Sequence, residues 1–581
     1  MRRLEEAVRA DPHRVAVSAA DGALTFAELW DRINGLAGRL ATRAMGPGSR
    51  IGVHVSRSVH LVPTLLAVWR VGAAFVPLDP VLPAGRLAAI TRQSRVDALI
   101  TMGERPDWAT GVPALHPSDG IEPPRTERRP GNDDTAYVIY TSGSTGYPKG
   151  VEVTFGGVGL LLAALEESGV YPETPAVVAC NASIGFDASV QQWLRVCRGD
   201  TVHIVDEEAR TDSRRFATTL RQHAVTDLDA TPSHWAALRD AVLTGAPLRV
   251  YLGGEAIPPD MWADLSALVR DGRLIRAVNL YGPTECTVDV TVAEVGGDGP
   301  HIGRPLAGRR IHVLDDRLRP VGIGVEGELY IGGPGLARGY FGDPRQSAAR
   351  FVAAPFADDG ARMYRTGDLA RWRPDGTIDF LGRADRQIKV RGHRLEPGEI
   401  EAVMCELPEV ARALVTLSHH SLVAYYVPTS DHRRDAEACV PRLRAHLSAR
   451  LPSAMMPVAF VPLDDFPRTP SGKLDTAALP PPPPRSPSAD VRRPAPVGEV
   501  ETLVAGVWSE VLGISDISAD DDFFALGGHS LVALHVVSRL RKQLGTTVSS
   551  KDVYRMPVLT DFARHIEELR TRQTSRPEPV P

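Results

Sequence analysis

The run Tyr140-Thr141-Ser142-Gly143-Ser144-Thr145-Gly146-Tyr147-Pro148-Lys149-Gly150 is the first place where residue types and spacing suggest chemistry. It follows an apolar stretch, Ala136-Tyr137-Val138-Ile139, that reads as a strand. Glycines let a backbone approach phosphate, hydroxyl and N–H groups donate to it, and a lysine supplies charge. The glycine-to-lysine spacing is not that of a Walker loop, and alone the run also reads as a flexible Gly/Ser turn. Lysine usage adds information. Lys149, Lys389, Lys473, Lys542 and Lys551 are the only lysines, so the 66 Lys+Arg include 66 − 5 = 61 arginines. Where arginine has taken over generic surface charge, a remaining lysine marks a need for a compact ammonium rather than a planar fork. That singles out Lys149, Lys389 and Lys473.

These residues need a frame. Before residue 480 the chain alternates short β-rich apolar runs with helical stretches, as in Arg50–Val55, Leu61–Trp69 and Ala74–Leu78. That alternation predicts α/β layers with much parallel sheet. From about residue 386 to 480 the texture changes to a compact α+β unit with its own strand at Leu422–Val427. A proline run, Pro480-Pro481-Pro482-Pro483-Pro484, then opens an extended, semi-rigid spacer. Beyond it, Val500–Trp508 has helical spacing, and a second helix begins near Ser530 with Leu531, Leu534, Val537 and Leu540 along one face. The polar tail 571–581 reads as disordered.

Composition sets bounds. The 581 residues are 43% hydrophobic and 24% charged, with net charge −5. This is an ordinary globular mixture, without the basic surface that nucleic acid requires. No apolar run reaches the roughly 18 residues of a membrane span, and the start lacks the apolar core of a signal peptide. The expected location is the cytoplasm. Cys180, Cys197, Cys286, Cys405 and Cys439 are scattered, with neither zinc spacing nor a disulfide framework, and are expected to be buried free thiols.

Further motifs follow the glycine-rich run in order. They are Asn279-Leu280-Tyr281-Gly282-Pro283-Thr284-Glu285, Tyr364-Arg365-Thr366-Gly367-Asp368-Leu369, Gly382–Gly392 and Pro470-Ser471-Gly472-Lys473-Leu474-Asp475. With Leu24–Leu29, Gly72–Asp79 and Gly327–Ile331, the sequence over roughly residues 1–480 resembles the adenylate-forming superfamily. Within it, the likeness is to amino-acid adenylation domains of nonribosomal peptide synthetases. Two positions depart from the pattern, Phe155 where histidine is usual and Ala454 where an aromatic is usual, and neither removes a charged group. The resemblance implies a large core domain over 1–384, a small C-terminal subdomain over 385–480, a linker over 481–497 and a carrier domain over 498–570.

The resemblance also implies two half reactions, formation of an acyl-adenylate from ATP and its capture by a pantetheine thiol. By motif, Thr141, Ser142, Gly143, Ser144, Thr145, Gly146 and Lys149 should hold the departing phosphates. Tyr281 should stack on adenine, with Gly282 and Thr284 after it also binding the nucleotide. Glu285 should hold Mg²⁺, a hard cation suited to carboxylate oxygen. Asp368 and Arg383 should contact ribose. Lys473 should bridge the substrate carboxylate and the phosphate. Asp385 matches the family hinge, about which Lys473 would withdraw and Lys389–Gly392 approach, with Gly392 letting the pantetheine pass close to the backbone.

For the side-chain pocket, Ile184-Gly185-Phe186-Asp187-Ala188-Ser189 matches the motif whose aspartate binds the substrate ammonium. The other lining positions carried over are Ala188, Gln191, Asp229, Tyr251, Gly253, Leu280, Val288 and Asp289, with Lys473 closing the set. The pocket is polar, and buried polar groups need partners. A glutamine side chain, donating to an aspartate and accepting from Gln191 or Tyr251, is the first expectation. Lysine, ornithine and glutamate are the alternatives.

Asp522-Phe523-Phe524-Ala525-Leu526-Gly527-Gly528-His529-Ser530-Leu531 resembles the attachment site of peptidyl carrier proteins. Ser530, which could also be a plain helix cap, would receive 4′-phosphopantetheine from a transferase. The fold class expected is therefore α/β multidomain: a layered adenylate-forming core, a small α+β subdomain and a four-helix-bundle carrier. The activity expected is ATP-dependent loading of an amino acid onto the chain's own carrier. An acyl- or aryl-CoA synthetase and a non-catalytic carrier scaffold are the competing readings. Partners expected are the amino acid, a phosphopantetheinyl transferase, an MbtH-like activator and a tailoring enzyme or downstream synthetase served in trans. With no condensation or thioesterase segment in the sequence, a stand-alone loading module is expected.

Overall fold

The computed structural model describes residues 1–118, 130–143, 146–357, 360–390, 392–418, 421–435, 437–469, 473–481, 494–524, 526, 528, 530–546, 548 and 550–574. Ser144 and Thr145 of the glycine-rich run, and most of the proline linker, lie outside them. The chain divides into two compact units. One comprises Met1–Ser142 with Pro148–Arg394, and the other Gly143–Tyr147 with Leu395–Pro581.

The first unit is built on three sheets. A nine-stranded sheet carries, in spatial order, Arg304–Pro305, Thr291–Glu294, Leu274–Tyr281, Leu248–Gly253, Asp227–Ala230, Val177–Cys180, Thr201–Ile204, Val15–Ala19 and Gly22–Thr25. Its middle strands pair in parallel, which is why they are short, apolar and separated by helices. A seven-stranded sheet places Thr135–Thr141 between Ala74–Pro77 and Lys149–Thr154. A five-stranded antiparallel sheet contains Gly327–Gly332, Arg362–Trp372 and Ile378–Arg383. The expected elements appear as strand Arg50–His54, helix Leu61–Arg70 and strand Ala74–Pro77.

An aromatic cluster lies beneath the site. Trp69 stands 4.9 Å from Trp193 and 5.8 Å from Phe75, and Phe75 stands 5.5 Å from Tyr137, between ring centroids. Such large rings dominate core energetics. Phe155, the departure from the family's usual histidine, packs on Trp69 at 5.6 Å. Trp193 belongs to the helix Ala188–Leu194, so the core that holds Trp193 also fixes Gln191 on the same helix.

In the second unit, Val410–Ser418 pairs antiparallel with Ser421–Pro428, which pairs in parallel with Ala459–Pro462. Helices Pro397–Met404 and Val440–Ser448 complete this α+β part. The carrier region holds the helices Glu499–Leu512, Ser530–Leu544, Ser550–Arg555 and Leu559–Thr574. Val500, Val504, Val507 and Trp508 are buried along the first of these, as the periodicity predicts. On the second, Ala533, Val536, Val537 and Leu540 are buried. The last helix runs to Thr574, past the expected start of a disordered tail at 571, and Thr571 Oγ1 donates to the Glu567 carbonyl at 2.9 Å. Residues 575–581 lie outside the described set.

Cys180, Cys197, Cys286 and Cys439 are buried free thiols, but Cys405 is exposed. It caps the C-terminal end of the helix Pro397–Met404, where the chain turns outward. Among the described residues, no helix is long and apolar enough to cross a membrane.

Candidate active site

The strand Thr135–Thr141 and the strand Lys149–Thr154 form an antiparallel pair with Thr141 opposite Lys149. Gly150 is required there because a Cβ would lie 2.9 Å from both the Tyr140 ring and Val138. This pairing delivers Lys149 into a buried charge cluster. Its Nζ is 3.3 Å from Glu285 Oε1 and 4.8 Å from the Tyr340 ring centroid. Glu285 is fully buried. Its carboxylate accepts from Tyr340 Oη at 2.7 Å and from Arg394 Nη1 at 2.6 Å. Burial pushes the Glu285 carboxyl upward, but Arg394 and Lys149 outweigh it and hold it well below the usual carboxylate range. Ser142 Oγ donates to the Arg394 carbonyl at 2.5 Å. In the second unit, the Gly143 N–H donates to Glu399 at 3.2 Å, and Gly146 leaves no room for a Cβ against Ala402.

Glu285 is presented by a tight turn after the strand Leu274–Tyr281. A Cβ on Gly282 would lie 2.0 Å from the Val288 carbonyl oxygen, so only glycine fits. Thr287 and Val288 both have left-handed backbone, at φ 59° and 63°. That conformation is costly for a β-branched residue, and such strain clusters at functional sites. Tyr281, Asp368 and Arg383 are brought together. The Tyr281 hydroxyl donates to Asp368 Oδ2, and Arg383 Nη1 donates to Asp368 Oδ1 at 2.6 Å. Arg383 also holds Asp385, which is exposed, and Arg350 reaches the same carboxylate at 3.4 Å. Lys389 Nζ stands 5.8 Å from the Tyr281 ring centroid. Burial lowers its pKa despite the attraction of Asp368.

Gly392 shows why its position takes glycine. Its φ is 77° and a Cβ would meet Thr231 Cγ2 at 2.4 Å, while its N–H donates to the Glu255 carboxylate. His393 packs edge-on against Phe186, in the 184–189 motif, at 4.6 Å. Lys473 belongs to the second unit and is exposed beside a bridge between Arg468 and Leu474.

The positions expected to line the side-chain pocket lie in the first unit, apart from Lys473. Asp187 caps the helix Ala188–Leu194 and accepts from the Ala188 N–H at 2.9 Å. Burial raises its pKa, and Glu285 raises it further. Gln191 Nε2 donates to Asp229 Oδ1 at 2.5 Å, and burial pushes the Asp229 carboxyl up to about 7. Asp289 is pushed well above the carboxylate range by burial and by the nearby Asp229 and Asp187. Gly253 sits where a Cβ would be 3.0 Å from the Leu280 carbonyl. Tyr251 differs from expectation. Its hydroxyl donates to Asp227 at 2.8 Å, because Asp227 lies two residues before Asp229 on the same strand face and within reach, so it is committed away from a substrate.

Sequence reasoning did not single out Tyr340, Tyr364 and Arg394. Arg394 Nη2 also donates to Tyr364 Oη at 3.3 Å. Arg394 follows the quoted Gly382–Gly392 motif by two residues, which is the signal that could have found it. Tyr364 opens a quoted motif and Tyr340 lies outside the quoted ones, and the geometry of a tyrosine hydroxyl has no sequence signature.

Comparison with known proteins gives the class. Residues 4–341 match the AMP-binding enzyme family, residues 399–473 the AMP-binding enzyme C-terminal domain, and residues 502–566 the phosphopantetheine attachment site. The chain belongs to the AMP-binding enzyme family and is an adenylate-forming ligase of nonribosomal-peptide-synthetase type with a carrier domain. It is 37% identical over 601 residues to a dimodular nonribosomal peptide synthase of Bacillus subtilis, over 98% of this chain and 24% of that one. It is 39% identical to phosphinothricin tripeptide synthetase PhsB of Streptomyces viridochromogenes, over 95% and 48%. The chain thus spans about half or less of these relatives. Among solved structures it is similar to holo-PA1221, an adenylation and carrier protein bound to a vinylsulfonamide inhibitor. That likeness has TM-score 0.76 and 26% identity over 99% of this chain and 98% of the other. It is also similar to holo-AB3403, a four-domain synthetase bound to AMP and glycine, with TM-score 0.61 and 30% identity over 98% and 42%.

The family uses ATP with Mg²⁺ and a covalent 4′-phosphopantetheine. Among the described residues no group of three or more His, Cys, Asp or Glu could hold a metal unaided. Mg²⁺ in nucleotide enzymes is held by one or two carboxylates together with substrate phosphates and water. Glu285, beside Lys149 of the phosphate loop, is a donor of that kind. Ser530 opens the helix Ser530–Leu544, where first-turn N–H groups suit a phosphodiester.

Proposed function

We propose that the protein activates an α-amino acid, glutamine by the chemistry of its pocket, as the aminoacyl-adenylate and transfers it to the pantetheine thiol on Ser530. One observation carries this reading. The buried Asp187 carboxyl feels the charge of Glu285 and the Thr284 side chain beside it, while Glu285 pairs with Lys149, so the ammonium-binding acid lies next to the turn that carries the phosphate-side charges.

Asp187 holds the substrate ammonium and thereby aims its carboxylate at the α-phosphorus of ATP. Positioning of this kind supplies much of the barrier reduction in such a transfer. Carboxylate attack forms the mixed anhydride and breaks the bond to pyrophosphate. Lys149 and the backbone of the Thr141–Lys149 loop neutralise the departing phosphates. Glu285 would hold Mg²⁺, which would supply further charge neutralisation there. Tyr281, with its hydroxyl fixed by Asp368, presents its face to adenine, and Asp368 with Arg383 takes the ribose hydroxyls. Lys473 joins substrate carboxylate and phosphate during adenylation. Rotation at Asp385 then exchanges Lys473 for the Lys389–Gly392 segment. The pantetheine supplies the thiol that displaces AMP. Asp187 disfavours fatty and aryl acids, which have no ammonium to pair with it.

The test is amino-acid-dependent exchange of pyrophosphate into ATP across the proteinogenic amino acids and ornithine, with and without an MbtH-like protein. Exchange strongest with glutamine supports the proposal. Exchange strongest with lysine, ornithine or glutamate overturns the substrate and keeps the reaction. Silence throughout, from folded protein, overturns the reaction.

A further inference from the structure

Several buried polar atoms around the pocket have no hydrogen-bond partner. They are Arg309 Nε and Nη2, Tyr137 Oη, Asp289 Oδ2 and Gln191 Oε1. Arg309, Asp289 and Gln191 are only 7%, 6% and 6% exposed, and Tyr137 is fully buried. An unsatisfied buried polar group is destabilising, so a cluster of them calls for a partner.

Arg309 is the unexpected member. It lies in the turn before the strand Arg310–Leu314, well away in sequence from the carried-over lining positions. Its guanidinium is laid flat against Gly335, where Nη1 lies 1.0 Å from the place a Cβ would take. Only glycine at 335 admits that pose. Asp289, Tyr137 and Cys286 are the groups whose charge acts on Arg309, and Asp187 acts on Tyr137 and Asp289. The Gly335 carbonyl accepts from Thr287 Oγ1 at 2.8 Å, so Arg309 stands beside the turn that carries Asp289. No hydrogen bond joins Arg309 Nε or Nη2 to Asp289 Oδ2. The Arg309 donors and the Asp289 and Gln191 acceptors are thus all buried and unpaired.

We propose that Arg309 is a specificity-determining residue at the base of the pocket, donating to a side-chain carbonyl oxygen of the substrate while Asp289 and Gln191 Oε1 accept from the amide on the same carbon. This rests on the amino-acid reading above and narrows it to a primary carboxamide. A carboxamide offers one acceptor and two N–H donors on a single planar group. A glutamate carboxylate satisfies Arg309 but has no N–H to offer Asp289 or Gln191 Oε1. A lysine or ornithine ammonium satisfies Asp289 but meets the guanidinium. An aliphatic side chain leaves every one of these groups unpaired, which is the arrangement that rejects isosteres most strongly.

The test is pyrophosphate exchange by the full chain with glutamine, glutamate, methionine and lysine, comparing wild type with Arg309→Met and Arg309→Lys. A hydrogen bond from a charged donor is worth about 1.5–3 kcal/mol. Arg309→Met should therefore raise KM for glutamine roughly 10- to 100-fold and cut the glutamine-to-methionine preference as much. kcat and KM for ATP should stay near wild type. Arg309→Lys, which keeps one donor and the charge, should recover part of the loss, and its stable fold keeps the test decisive if the methionine variant unfolds. A KM for glutamine within threefold of wild type in Arg309→Met overturns the inference and leaves the amino-acid reading intact. A parallel fall in kcat, ATP affinity and melting temperature, with no change in substrate preference, assigns Arg309 a structural role and also overturns it. Wild-type preference for lysine overturns the carboxamide assignment while the reaction stands. Silence with every amino acid removes the parent reading and this one together.

Discussion

Arg195 gives the prediction whose magnitude follows most directly from the structure. Its side chain is 1% exposed, 2.5 Å from Asp200 and 3.1 Å from Asp227, with the guanidinium 4.0 Å from the Tyr171 ring centroid. Both carboxylates are buried to the same degree, at 1% and 0%. Arg195→Met keeps the volume and removes the charge. Breaking a buried pair from one side costs about 3–5 kcal/mol. The low end applies because Asp200 keeps Arg198 at 2.9 Å and Asp227 keeps Arg249 at 3.3 Å. The first unit spans about 390 residues, Met1–Ser142 with Pro148–Arg394. Its unfolding entropy is then about 0.8 kcal/mol/K, so a loss of about 3 kcal/mol lowers its melting temperature by about 4 °C. Differential scanning calorimetry on the full chain reads this. The triple change Arg195→Met, Asp200→Asn, Asp227→Asn should regain most of the loss, because, of the charges that remain, Arg198 keeps Glu166 and Arg249 is 23% exposed to solvent. A melting temperature for Arg195→Met within 1 °C of wild type would refute the reasoning, as would a triple variant less stable than the single one.

Asp229 should impose a pH dependence on substrate use. Its carboxyl is raised to about 7 in the free protein, from 3.8. The stability gained by keeping it neutral is present below about pH 4 and is lost as pH rises through about 7. Gln191 Nε2 donates to Asp229, and that bond, which leaves Gln191 Oε1 free to meet the substrate amide, favours the ionised form. KM for glutamine should therefore fall as pH rises from 6 to 8, KM for ATP should not follow it, and Asp229→Asn should flatten the profile. Gly282→Ala forces a Cβ onto the Val288 carbonyl. Overpacking of this kind costs about 1–3 kcal/mol, and here it displaces Glu285, so exchange should drop at least about 10-fold with a measurable loss of thermal stability. Glu285→Gln leaves Lys149 and Arg394 without their shared anion and should cut exchange by about 100-fold or more, with the greatest loss at low Mg²⁺.

The layered α/β part was legible because parallel central strands need short apolar runs separated by helices, and Arg50–His54, Leu61–Arg70 and Ala74–Pro77 follow that rule. The carrier helix Glu499–Leu512 was legible from its 3.6-residue period. Lys149, Glu285, Asp368 and Arg383 could be named because each sits beside glycines or prolines that fix a turn. Tyr340, Tyr364 and Arg309 could not. Their roles come from which strands of distant sequence are brought side by side, and from a glycine, Gly335, whose missing side chain makes room for a neighbour. Tyr251 illustrates the converse. Its place on the strand beside Asp229 was readable, yet the direction of its hydroxyl is set by Asp227 and by the Val170 carbonyl at 3.3 Å. Cys405 was misread because burial of a thiol depends on which side of a helix end it falls.

The central claim is that one chain both activates an amino acid and receives it. Intact-mass spectrometry of the pantetheinylated full chain, incubated with ATP, Mg²⁺ and glutamine, tests it most directly. A mass gain equal to a glutaminyl group is predicted, reversed by hydroxylamine and absent from Ser530→Ala, while pyrophosphate exchange by that variant stays at the wild-type level. A pantetheinylated chain that supports exchange but gains no mass with any amino acid, or a Ser530→Ala chain that still becomes loaded, would contradict the account.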